Sequence, residues 1–239
     1  MNRKPLLFTF AFIFATPLAD ADVLAGWNVD TVNVARDLSP ENNHAFESTT
    51  TSSNIAGATL SLSSTLTPSD ANDSYGFKIN VADQQTSLAG AISAKHFIEF
   101  NISASPGYQL DLTSLEMNGQ STATGADNIA ILTSTNDFVN YSAIASVSGI
   151  SGNTGGFDTD SSGFGDPIDL TGSSYQGINT ITFRIYGWNT NGTTGATSLR
   201  NLTGDNLIIN GAVVPETSTV LPLAGLLGLT IIGSRRRKA

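Results

Sequence analysis

A two-residue beat constrains this chain more than any other feature of its sequence. Tyr75, Phe77, Ile79 and Val81 alternate with polar or small residues, and the alternation returns at Leu60, Leu62 and Leu66, at Ile98, Phe100 and Ile102, and at Ile181, Phe183 and Ile185. Successive side chains of a strand point to opposite faces, so each run sends one face into a core. Shorter apolar pieces lie at 23–27, 110–112, 129–132, 144–147 and 207–209. Turn-forming clusters separate nearly all of them: Pro68-Ser69-Asp70, Pro106-Gly107, and the stretches 152–156 and 189–195. No stretch repeats every 3.6 residues with caps at its ends, so no helix is expected in the middle of the chain. Roughly ten short strands without helices predict an all-β fold, an antiparallel β-sandwich, because two half-apolar sheets bury their faces on each other. A jelly roll is the favoured winding, and the domain is placed at 22–212.

Charge narrows the partners. Between Asp22 and Pro215 there are 18 acidic and 5 basic residues, a net of −13. Such a surface lacks the Lys/Arg clusters that hold nucleic acid or anionic lipid, and nucleic-acid binding is set aside. The chain has no cysteine, which removes disulfides and thiolate metal sites. The stretch 49–67 is rich in Ser and Thr and suits a linker or a glycosylated patch, but Leu60, Leu62 and Leu66 assign its second half to a sheet.

Both ends differ from the middle. Arg3 and Lys4, the apolar stretch 6–15 and Ala19-Asp20-Ala21 form a secretory signal peptide over 1–21, with cleavage expected after Ala21. The stretch 213–239 contains Val214-Pro215-Glu216-Thr217-Ser218, a mostly apolar run over 219–233, and Arg235-Arg236-Arg237-Lys238. The run counts 15 residues and includes Pro222, Gly225, Gly228 and Gly233. A comfortable membrane span takes about 20 residues, so a temporary anchor is expected, with its basic end held on the cytoplasmic side. A sortase-like Leu221-Pro222-Leu223-Ala224-Gly225 lies inside the apolar run rather than before it, and is rejected.

This three-part tail resembles the PEP-CTERM sorting signal of Gram-negative bacteria. Val214, Pro215, Glu216 and Ser218 match its short motif, Thr217 stands where the family usually has a second proline, and Arg235, Arg236 and Arg237 match its basic end. The resemblance implies a hydrophobic sorting helix and an exosortase-type membrane protease that recognises the Pro215-Glu216 region. It also implies passage through the inner membrane, and a final place at the cell surface or outside it. The family's association with exopolysaccharide and biofilm implies a structural or adhesive role with exopolysaccharide as a partner. Within the domain, Asn179–Gly187 followed by Trp188, and the segment Gly204–Gly211, resemble the closing strands of jelly-roll ectodomains common in PEP-CTERM proteins. Leu132–Phe138 is similar to a strand-and-turn segment found there.

Chemistry-bearing patterns are few. His44 sits in an Asn-rich loop and His96 opens a strand; no Gly-x-Ser-x-Gly accompanies them, so no catalytic residue is assigned and no enzyme is expected. The alternatives are a carbohydrate-binding module and, behind it, a secreted glycoside hydrolase, for which no carboxylate pair stands out. Asp158, Asp160, Ser162, Asp166 and Asp169 fall at positions 1, 3, 5, 9 and 12 of a calcium-loop spacing, with Gly163 at 6. No cofactor is assigned apart from this candidate calcium site, and an acidic turn between strands explains the same residues. Trp188 and Tyr186 are the candidate ligand-binding aromatics: Trp188 enters a Gly/Asn loop, and Tyr186 lies out of phase with Ile181, Phe183 and Ile185. Trp27 is assigned to the core.

Overall fold

Strong β-formers on alternating faces lead to two sheets that share one apolar interior. The computed structural model describes residues 22–79, 83–150, 157–158, 167–190, 192, 195–200 and 204–216. The first sheet runs β3 (Thr50–Thr51), β1 (Asp22–Trp27), β15 (Leu207–Pro215), β8 (Tyr108–Ser121), β14 (Ala196–Arg200), β6 (Ser74–Lys78), β5 (Thr67–Pro68). The short β11 (Phe157–Asp158) and β12 (Ile168–Asp169) also pair with β8. The second sheet runs β10 (Ser142–Ser148), β9 (Ala126–Ser134), β13 (Thr180–Thr190), β7 (Phe97–Ala104), β4 (Ile55–Leu62), β2 (Phe46–Glu47). Strands are numbered along the chain, and every pairing between these named strands is antiparallel.

The alternating residues meet between the sheets as the beat predicts. Leu60 and Leu62, Ile98, Phe100 and Ile102, and Ile181, Phe183 and Ile185 come from the second sheet; Leu24, Trp27, Tyr75, Phe77, Leu112 and Ile209 come from the first. Phe100 and Phe183, opposite each other in register, stack at 4.8 Å with planes 4° apart, and Trp27 meets Phe100 edge-on at 5.9 Å. Burying one such ring contributes about 1.5–3 kcal/mol.

Two helices depart from the sequence expectation: α1 (Val34–Asp37) and α2 (Leu88–Ala94). The second begins where the Ser87 side chain accepts from Gly90 N and ends where Lys95, left-handed at φ 58°, bonds back to the last turn. Its Leu88, Ala91 and Ile92, spaced i, i+3 and i+4, pack on the outer face of the second sheet with Phe97, Ala130, Leu132 and Tyr186. That second, smaller core corrects the reading of Tyr186. The residue is out of phase with the main core, as expected, yet it is buried, because α2 covers the face that the alternation sends outward.

The last strand runs three residues beyond the expected boundary at 212. Val213, Val214 and Pro215 pair with Leu110, Gln109 and Tyr108, and Glu216 N donates to Gly107 O at 2.9 Å. β15 is a central strand, held by β1 on one flank and β8 on the other. The ladder with β8 slips by one residue between Asn210 and Gly211. There the two backbones come so close that a Cβ on Gly211 would sit 2.3 Å from Asp111 O. Among the described residues, no helix is long and apolar enough to cross a membrane. The signal peptide, the sorting residues Ser218, Arg235, Arg236 and Arg237, and Val81 lie outside the described residues.

Candidate functional site

At the end of β9 the chain leaves the sheet through a tight, strained turn. Ser134 Oγ accepts from Asn136 N and Phe138 N and donates to Asn136 Oδ1, which also accepts from Asn140 N. These bonds hold Asp137 at φ 54° and Phe138 at φ 60°. Asp tolerates the left-handed region because its short polar side chain bonds locally. A phenylalanine there costs about 1–2 kcal/mol. The strain is offset below the turn, where the Phe138 ring lies over the Arg184 guanidinium at 3.9 Å, with Phe97 on the other side at 4.1 Å. Glu99 Oε2 accepts from Arg184 Nε at 2.7 Å. One cation is thus clamped between two rings and a carboxylate, half-buried throughout.

The clamp fixes what the turn presents. Val139 is 79% exposed and Tyr141 51% exposed, the large apolar side chains most open to solvent among the described residues. Tyr141 stacks on Phe138 with ring centroids 6.3 Å apart. Beside it opens a cavity of about 180 Å³ between this turn, the single helical turn Ser173–Tyr175 and Ile181. Its walls carry hydroxyls from Thr133, Ser134, Thr135, Ser142 and Ser174, amides from Asn136 and Asn140, and the rings of Tyr141 and Tyr175. No charged side chain lines it.

Strand pairing places this cleft at one end of the sandwich. Ser134 lies opposite Thr182, and Thr180 opposite Ser103. From Ser103 the chain reaches Tyr108, which pairs with Pro215, the last residue of β15. A second hollow, of about 190 Å³, lies at the same end between β1 and the loop 52–54, lined in part by Asp22, Asn54 and Val213.

The residues singled out from sequence are dispersed. Trp188 is half-buried against the smaller core, near Tyr186 but away from the cleft lining. Asp158 lies in β11, and Asp160, Ser162 and Asp166 lie outside the described residues. The exposed Asp169 in β12 directs its carboxylate back to Thr171, accepting from both its N–H and its hydroxyl, and these bonds hold its pKa below the ordinary range. Among the described residues, no three His, Asp or Glu side chains converge as metal ligands. His44 Nδ1 lies 3.1 Å from both Val34 O and Leu38 O. The sequence reading passed over Tyr141 and the two asparagines; the Thr135-Asn136-Asp137 turn signal and the absence of charge over 138–157 were the marks that point to them.

His96 gives a testable acid response. It is 2% exposed, and its Nδ1 has no hydrogen-bond partner among the described residues. Burial lowers its pKa, against the opposing field of Asp83. The unfolded chain therefore takes up this proton at higher pH than the folded one. The contribution to stability is complete above about pH 6.5 and is lost as pH falls through the depressed folded value. Thermal melts of the wild type should decline below that point, and those of His96→Gln should decline less steeply over the same interval. Equal slopes would refute the assignment.

Comparison with family models, with curated proteins and with solved structures gives no match for this chain.

Proposed function

We propose that this chain is an exported cell-surface or extracellular-matrix protein, processed at its C-terminal tail by an exosortase-type membrane protease. Its role is structural or adhesive, in contact with exopolysaccharide. The observation that supports this reading is where the sandwich hands off its two ends. Asp22, the first described residue, pairs with Gly211, and β15 runs on in the same direction to Pro215. The leader-like and tail-like segments therefore attach at one end of the domain, an arrangement that lets both enter the same bilayer while the domain stands on it. Pro215 and Glu216 are exposed at that end, within reach of a membrane-bound protease. A jelly-roll winding belongs to the same reading: the chain passes repeatedly between the sheets, among other places at β6 to β7, β7 to β8, β8 to β9 and β13 to β14.

The sorting reading is tested by replacing Pro215 and Glu216 together with alanine. Both side chains are solvent-exposed, so the melting curve should be unchanged within the usual range for surface substitutions, about 0.5 kcal/mol. Mass spectrometry of the protein recovered from cells should show the wild type without its four basic C-terminal residues and the variant with them. Identical processing of both proteins, or a wild type that keeps Arg235 to Lys238 in the cytoplasm, would overturn the proposal.

A further inference from the structure

We propose that the cleft between the 134–141 turn and the 173–175 turn binds a neutral polysaccharide chain. This rests on the surface reading above and names the ligand class of that surface. Hydroxyls of Ser142 and Ser174 and the Asn140 amide both give and accept hydrogen bonds, and the Asn136 amide nitrogen gives them, as a polyhydroxylated ligand requires. The Tyr141 and Tyr175 rings border the same space, and flat rings pack against the apolar C–H faces of pyranoses. The lining holds no cation, and the domain around it carries a net charge of −13 (18 acidic, 5 basic residues between Asp22 and Pro215), so uronate-rich or phosphorylated chains are repelled. Selectivity against acidic glycans thus comes from the whole domain, and affinity from the cleft.

The turn is also preset. Ser134 and Asn136 tie its backbone, and Phe138, held left-handed on Arg184, supports the Tyr141 ring from behind. A ligand meeting Tyr141 does not have to order the loop first, which keeps the entropic cost of binding low. Strain of this kind gathers where a side chain is held for a ligand.

Native affinity electrophoresis of the purified full-length chain in mild detergent tests the assignment. The probes are pullulan, dextran and laminarin as neutral polysaccharides, and alginate and polygalacturonate as acidic ones. At least one neutral polymer should retard the wild type, and neither acidic one should. Tyr141→Ala should weaken that retardation roughly tenfold or more, and Tyr141→Phe should keep most of it, since the ring carries the contact. Trp188→Ala, outside the cleft, should bind like the wild type. Because Tyr141 is exposed, circular dichroism melts should show each Tyr141 variant folded. Retardation by acidic polymers alone, no retardation by any of the five, or undiminished binding by a folded Tyr141→Ala would each overturn the proposal. Binding does not depend on tail processing. A negative result here with normal processing defeats the cleft alone, and binding without processing defeats the sorting reading alone.

Discussion

Phe183→Ala is expected to lower the unfolding free energy by about 3–5 kcal/mol, the range for deleting a buried aromatic ring. The ring is fully buried, stacks on Phe100 at 4.8 Å, and lies in β13 between β7 and β9. Its removal loses transfer energy and leaves a void that the flanking strands cannot close, because their backbones are tied by ladders on both sides. For a domain of this size each kcal/mol lowers the melting temperature by about 2–4 °C, so a fall of roughly 6–20 °C is expected. Phe183→Leu refills most of the space and should recover over half of the loss. If the alanine variant melted within about 2 °C of the wild type, the two-sheet core described here would be wrong.

Gly211→Val is the second large effect, and its cause is backbone rather than core. At the slip between β15 and β8 the added side chain would overlap Asp111 O and press on Leu112 and Leu24. The strands can relieve this only by parting, which removes ladder bonds from a central strand. A loss of roughly 3 kcal/mol or more is expected, at the upper end for overpacking. Hydrogen exchange should report it most clearly: amides of 207–214 should lose protection more than those of 181–185 in the opposite sheet. Uniform loss across both sheets would show a global effect without the local contact. Unchanged protection would show that the close approach at Gly211 is not real.

The main core was legible in the sequence because a single physical rule governs it. Leu60, Phe100, Phe183 and Ile185 alternate, and all are buried between the sheets as alternation requires. The second core was not legible, because it depends on an element too short to announce itself. Two turns of helix at Leu88–Ala94 carry three apolar contacts, fewer than a 3.6-residue period needs to stand out, yet they bury Tyr186 and make Ile129–Leu132 buried on both faces. Trp27 was placed correctly by its strand. Trp188 was expected just past its strand, but β13 runs on through it to Thr190, and it rests half-buried on that unforeseen core. The cleft escaped notice for a different reason. Its parts come from positions 133–136, 140–142, 174–175 and 181, and none carries the charge or histidine that draws attention to a site. Serine, threonine and asparagine are so common in this chain that only the fold shows which of them converge.

The placement of β15 has a mechanical consequence. Traction applied through the residues after Pro215 would act along the axis of this strand, which has nine registered partners on β8 and five on β1. Pulling lengthwise loads those hydrogen bonds together, so they must yield as a group, whereas an edge strand could be peeled away one bond at a time. A molecule fastened by its last strand would carry drag or shear from its surroundings through a strand braced on both flanks.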